Sequence, residues 1–190
     1  MLKIAITGNI ASGKSVVEKF LKDKGCHVFD ADEMAHAILE KSAEVKIIFK
    51  DYDILTDGKI DRKKLAKIVF SDSAQMKKLE SVIHPLVKQE ILDIFNKNYD
   101  KVFISVPQLF EAGFEKLFDK IIYITADTNI RLNRLMKRNR ISKDEATARI
   151  NAQIPDAEKI KHCDIIIKNN ESLDELIRLV SEILANQQIV

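Results

Sequence analysis

One stretch constrains this chain more than any other: Gly8-Asn9-Ile10-Ala11-Ser12-Gly13-Lys14-Ser15 matches the pattern G-x-x-x-x-G-K-[ST]. A loop of this kind turns backbone N–H groups inward as an anion nest, and the helix that follows adds its positive N-terminal end. In that arrangement Lys14 reaches the β- and γ-phosphates of a nucleotide and the Ser15 hydroxyl ligates Mg²⁺. The surroundings suit the mechanism. Leu2 to Thr7 is a short apolar run of strand type, and from Gly13 onward Val16, Val17, Phe20 and Leu21 recur at helical spacing until Gly25. The expected ligand is a nucleoside triphosphate, bound by Asn9, Ile10, Ala11, Ser12, Gly13, Lys14, Ser15 and Val16, with Ser15 as the metal ligand.

At 190 residues the chain suits one domain with inserted subdomains, on a prior of about 150 residues per domain. Hydrophobic residues at 46% and charged residues at 32% exclude a disordered or low-complexity chain. Lys and Arg number 31 against 29 Asp and Glu, and a net charge of +2 is too small for nucleic-acid binding by bulk electrostatics. Two cysteines, Cys26 and Cys163, cannot form a disulfide framework and lack the spacing of a zinc site. No apolar run approaches ~18 residues, and Met1 to Thr7 is too short and too lightly charged for a signal peptide. The expectation is a cytoplasmic protein with no membrane contact.

Further strands are expected at Val28 to Asp30, Val102 to Val106, Ile121 to Thr125 and Ile165 to Ile167. Helical patterns between them argue for βα units and a parallel sheet covered on both faces. Ser172-Leu173-Asp174-Glu175 reads as a capping box opening a last amphipathic helix. Two stretches break the alternation. Ala31 to Asn98 shows no strand and reads as a helical insertion: Asp57-Gly58 turns, Asp61 caps a helix through Phe70, Asp72 opens another, and Pro85 starts a third. Arg131 to Gln153 carries seven basic residues on two helical patterns broken at Asn139-Arg140-Ile141 and recapped at Ser142.

Asp30-Ala31-Asp32 follows the second strand, at the carboxyl edge where ligands bind in open α/β sheets. Either carboxylate can cap the next helix; of the two, Asp30 reads as the cap or supporting group and Asp32 as the residue that meets an acceptor hydroxyl. The basic hairpin reads as a lid that neutralises charge on a transferred phosphoryl group, with Arg138 first and Arg149 and Arg134 behind it. Glu111 has two open readings, orienting the acceptor or the metal's water shell, and a carboxylate at a helix start. Val102 to Val106 lacks the terminal Asp that often holds Mg²⁺, so the metal leans on Ser15, phosphate oxygens and water. His84 marks a helix start beside Pro85, and His36 and His162 read as structural.

Taken together these residues resemble the dephospho-CoA kinase family. The resemblance rests on Thr7 to Ser15, Asp30-Ala31-Asp32, Asp61-Arg62 with Leu65 and Val69-Phe70, Ile83-His84-Pro85, and Pro107-Gln108-Leu109-Phe110-Glu111. It continues through Arg134 with Arg138, Ala148-Arg149-Ile150 with Gln153, and Asp164 with Ile167 and Asn169, in order over almost the whole chain. It implies a P-loop NTPase fold of the nucleoside-monophosphate-kinase type: α/β, a five-stranded parallel sheet flanked by helices, a helical substrate subdomain and a lid. The core would comprise residues 1–30, 100–130 and 154–190, the CoA-binding subdomain 31–99 and the lid 131–153.

The implied reaction moves the γ-phosphate of ATP, with Mg²⁺, to the 3′-hydroxyl of the dephospho-CoA ribose. Asp32, Lys14 and Arg138 take the catalytic places. Asp30, His84, Glu111, Arg134 and Arg149 contact substrate or lid, and Asn169 lies where the family approaches the adenine. Asn9 and Ala11 stand where the family usually has glycine, and a positive φ at position 11 would strain Ala11 by ~1 kcal/mol. The alternative is another P-loop small-molecule kinase, acting on a nucleoside, nucleotide or shikimate-like alcohol. A nucleic-acid module using ATP as a switch is disfavoured by the near-neutral charge and by a basic hairpin without aromatic residues. A monomer or weak homo-oligomer is expected.

Overall fold

In the computed structural model, which describes residues 1–186 and 189, β1 (Leu2–Thr7) runs through the glycine-bounded loop into α1 (Lys14–Asp23). There follow β2 (Val28–Asp30), α2 (Ala31–Lys41), α3 (Ala43–Ile48), β3 (Leu55–Thr56), β4 (Lys59–Ile60), α4 (Arg62–Ser71) and α5 (Ser73–Phe95). After β5 (Lys101–Ser105) come a 3-10 turn at Glu115–Leu117, β6 (Lys120–Thr125), α6 (Thr128–Asn139), α7 (Lys143–Asn151), α8 (Asp156–Ile160), β7 (Ile165–Lys168) and α9 (Leu173–Asn186). A five-stranded parallel sheet forms in the order β2-β5-β1-β6-β7.

The sheet explains why its strands read as apolar runs. On β1, Ile4, Ala5, Ile6 and Thr7 are all fully buried, so both faces of the strand need non-polar or satisfied side chains. Alternate residues Ile4, Ile6, Ile122, Ile124, Ile165 and Ile167 join one core cluster with Leu21 of α1 and Leu176 and Val180 of α9. Each such side chain contributes about 1.5–3 kcal/mol on burial. Register places Ile4 beside Phe103 on one side and Lys120 on the other, so the loop after β1 leaves from the middle of the sheet's carboxyl edge.

By contacts the chain divides into two compact units, Met1–Phe29 with Asn98–Val190, and Asp30–Lys97. The first holds the sheet and α6 to α9. In the second, α5 packs against α2, α3 and α4. Asp61 caps α4 by accepting from the Lys63 and Lys64 N–H groups at 2.9 and 3.2 Å, and Asp72 caps α5 by accepting from Ala74 N–H at 2.8 Å.

Several expectations need correction. Ala31 to Asn98 does contain strands: β3 and β4 pair antiparallel around Asp57 (φ 50) and Gly58 (φ 74), a two-residue turn with both residues left-handed. Pro85 does not start a helix. It lies inside α5, whose buried stripe Ile83, Val87, Ile91 and Ile94 continues across it, and His84 is mid-helix. Packing of that stripe overrides the loss of one N–H donor. Between β5 and β6 there is no α-helix, only turns and the Glu115–Leu117 3-10 turn, because Pro107 and Gly113 (φ 67) bend the chain early. The capping box of α9 is half formed: Ser172 Oγ accepts from Glu175 N–H at 3.2 Å, while the Glu175 carboxylate turns to Arg178.

Candidate active site: the phosphate loop and its supports

Sterics fix the two glycines of the loop. A Cβ on Gly8 would lie 2.2 Å from the Ile124 carbonyl oxygen of β6, and a Cβ on Gly13 would lie 2.1 Å from Asn169 Nδ2. Gly13 also takes φ 101, which side chains rarely adopt. Between them Ala11 sits at φ 61, the left-handed conformation that strains it, while the Ser12 N–H closes the turn on the Asn9 carbonyl at 3.1 Å. Ile10, Ala11, Lys14 and Val16 are half-buried, Asn9 and Ser12 are buried, and Ser15 is exposed on the first turn of α1.

Lys14 is held by two residues that sequence reasoning missed. Its Nζ donates to Glu18 Oε1 at 2.5 Å, one helical turn on, and to Ser105 Oγ at the end of β5. Ser105 in turn donates to Glu18 Oε1 at 2.6 Å. Ser105 occupies the strand end where the expected acidic metal ligand is lacking. Mg²⁺ binds through one or two protein oxygens, with water and substrate phosphates completing its shell. The exposed Ser15 hydroxyl, and a Ser12 Oγ that is buried without a protein partner, fit a site of that kind.

A buried polar network holds the loop from the other side. Asn9 Nδ2 donates to Asp156 Oδ1 at 2.5 Å and to the Ile154 carbonyl at 3.0 Å, and Asn9 Oδ1 accepts from Lys159 Nζ at 2.9 Å. The Ile10 N–H donates to Gln153 Oε1 at 2.7 Å. Asp156 also accepts from Tyr123 OH at 2.7 Å, Thr125 Oγ1 at 2.9 Å and Arg131 at 2.9 Å. Burial, reinforced by the Asp156 carboxylate it donates to, pushes the Tyr123 phenol well above its ordinary range, so it stays a donor. Burial and the neighbouring Asp164 push the Cys163 thiol up to about 12. It donates to the Lys159 carbonyl at 3.1 Å.

This network reassigns several residues. Glu111 is not at a helix start; it lies in a turn, and its Oε1 accepts from Lys159 Nζ at 2.6 Å. Arg131, counted in the basic hairpin, is 3% exposed and pairs with Asp156 beneath the loop's supports. Arg134 donates to the Asn169 carbonyl at 3.0 Å, and Asn169 Nδ2 donates to the Ser12 carbonyl at 2.7 Å, so both brace the loop. Arg138 and Arg149 are exposed, beside Asn139 (2.9 Å) and Glu145 (2.7 Å). Arg140 breaks the hairpin with φ 54. His162 lies against Phe110, ring centroids 6.1 Å apart.

Asp30, Asp32 and His84 belong to the second unit. Asp30 caps α2, its Oδ1 accepting from Asp32 N–H at 2.7 Å and Glu33 N–H at 3.4 Å, and Asp32 is exposed on the first turn. His36, read as merely structural, meets Arg62 at 2.9 Å. The missed residues Lys159 and Asp156 sit in the short helix Asp156–Ile160, just after Gln153 of the family pattern; a Lys three places after an Asp behind Pro155 is the faint signal they left.

Comparison with known proteins identifies the family. The family model for dephospho-CoA kinase matches residues 2–175. A dephospho-CoA kinase of Fusobacterium nucleatum is 41% identical over 181 residues, covering 93% of this chain and 94% of that protein. Among solved structures, TT1252 from Thermus thermophilus aligns with a TM-score of 0.83 at 36% identity over 97% of both chains. A dephospho-CoA kinase from Campylobacter jejuni aligns at 0.77 and 33%, over 97% of this chain and 96% of that one. A phosphate loop at the middle of a parallel sheet, in a chain matched over nearly all its length, leads to one conclusion: this chain belongs to the dephospho-CoA kinase family.

Proposed function

We propose that the protein transfers the γ-phosphoryl group of ATP to the ribose 3′-hydroxyl of dephospho-CoA, giving CoA and ADP. The observation that carries the reading is the phosphate loop itself, whose two glycines cannot take a Cβ and whose lysine rests within reach of the loop on Glu18 and Ser105. The bond between the acceptor oxygen and the γ-phosphorus forms as the bond to the β,γ-bridging oxygen breaks. Loop N–H groups and Lys14 stabilise charge on the leaving diphosphate, the larger part of catalysis when the transition state is loose. Asp32 is assigned to the acceptor hydroxyl, which it orients and whose proton it accepts. Arg138 and Arg149, both exposed, are assigned to a lid of residues 131–153 that neutralises the phosphoryl oxygens and excludes water.

Mg²⁺, held by Ser15, would offset phosphate charge when bound. Residues 31–99 are assigned to the CoA moiety, with Asp30 supporting Asp32 as helix cap and His84 on α5. A cytoplasmic monomer or weak homo-oligomer accompanies the reading; among the described residues no helix is long and apolar enough to cross a membrane. The test is ADP release from Mg-ATP with and without dephospho-CoA, with the product identified by mass and position of phosphorylation. Acceptor-dependent release yielding 3′-phosphorylated product is expected. Folded protein that binds ATP but gives no acceptor-dependent ADP would reject the substrate and leave the loop's role standing.

A further inference from the structure

Lys159 of α8 is 1% exposed, and no step of the proposed reaction uses it. Its ammonium has two partners, Glu111 Oε1 at 2.6 Å and Asn9 Oδ1 at 2.9 Å. The other end of the Asn9 amide faces acceptors only, Asp156 Oδ1 and the Ile154 carbonyl. Reversing that amide would set its NH₂ against the ammonium and its oxygen against a carboxylate, so a single orientation survives. One residue along the loop, the Ile10 N–H is held by Gln153. The segment 153–159 therefore fixes the side chain of one loop residue and the backbone of the next. Asp156 is itself anchored, through Tyr123 and Thr125 of β6 and Arg131 of α6.

We propose that Lys159 is a positioning residue for phosphoryl transfer: held by Glu111, it locks the Asn9 amide and thereby the aim of the phosphate loop's N–H groups. The proposal rests on the ATP-dependent reaction proposed above. A buried ion pair adds little net stability, because desolvation offsets much of the attraction, and an apolar side chain of similar volume often serves as well. Direction is what the ammonium supplies and an apolar chain cannot. With Lys159 replaced by Met, the space is filled, yet the Asn9 oxygen loses its donor and only Asp156 and the Ile154 carbonyl still hold the amide. N–H groups shared by bound ATP and the transition state tolerate small misalignment in binding. The same misalignment is felt most where new charge develops, so the effect falls on kcat rather than on nucleotide affinity.

The experiment compares wild type, Lys159→Met, Asn9→Ala and the double variant as full chains. It measures steady-state kinetics in both substrates, ADP binding by calorimetry and amide hydrogen exchange in the loop. For Lys159→Met, kcat is expected to fall roughly 10- to 100-fold, with the ADP Kd and the KM for dephospho-CoA changed less than about threefold. Asn9→Ala should show the same split, and the double variant should be no worse than the poorer single, since both act through one amide. Exchange at Ile10 should quicken roughly tenfold or more in Lys159→Met.

A kcat within about threefold of wild type, losses that multiply in the double variant, or unchanged exchange at Ile10 would each overturn the proposal. If Lys159→Met does not fold, Asn9→Ala decides by the same kcat criterion. A wild type inactive on dephospho-CoA rejects the reaction instead, and the exchange comparison then judges the positioning separately.

Discussion

Ala11 at φ 61 and Gly13 at φ 101 share one loop, and the difference in their side chains makes opposite predictions. Ala11→Gly removes a Cβ from left-handed backbone, so it should stabilise the protein by about 1 kcal/mol, or roughly 2–4 °C in Tm by calorimetry. Gly13→Ala drives a Cβ into Asn169, breaking the amide's bond to the Ser12 carbonyl, and nucleotide binding should be lost in a titration of ADP. At Asp32 the prediction is kinetic. Asp32→Asn keeps the shape but not the proton acceptor, and kcat should drop about 10²-fold with ATP affinity unchanged. An Asp32→Asn enzyme with near-normal turnover would remove the residue from the chemistry and leave it a helix-start carboxylate on α2.

Among the helices, the capping of α4 sets a pH-dependent stability. The Lys64 N–H and the Thr56 hydroxyl hold the Asp61 carboxyl below its usual range. Its folded pKa is depressed, so its contribution is present above the unfolded value near pH ~4 and is lost as pH falls through the folded one. Urea unfolding should therefore separate wild type from Asp61→Asn at pH 7, and the gap should close toward pH ~3. On α5, Pro85→Ala restores an N–H donor in mid-helix and should raise stability by about 2 kcal/mol in the same assay.

The fate of Pro85 also shows what is legible in a sequence. A proline rule reads four residues, whereas Ile83, Val87, Ile91 and Ile94 decide the helix by packing against neighbours far along the chain. The sheet strands were legible because burial on both faces leaves an unbroken apolar run, as in Ile4-Ala5-Ile6. The β3–β4 hairpin was not, since two-residue strands with an exposed Leu55 are too short to show alternation. The phosphate loop was legible as a local pattern. Its brace was not: Asn9 and Lys159 meet across the whole fold, and a buried lysine has the same local sequence as an exposed one.

Across the whole molecule, β1 has no neighbour near it in the chain. Leu2 pairs with Lys101 and Thr7 with Tyr123, on strands that follow the entire Asp30–Lys97 unit. A ribosome adding about 5–20 residues per second exposes the first strand for on the order of ten seconds before β5 and β6 exist to flank it. During that interval Ile4, Ala5 and Ile6 are an unpaired apolar segment, a natural binding site for a chaperone. The wall that Gly8 leans on, the Ile124 carbonyl, is synthesised later than the loop itself, and Lys159 and Asn169 later still. A nascent chain stalled after Lys97 carries every residue of the nucleotide signature and should retain no nucleotide on an ATP-agarose column, while the released full-length chain should bind.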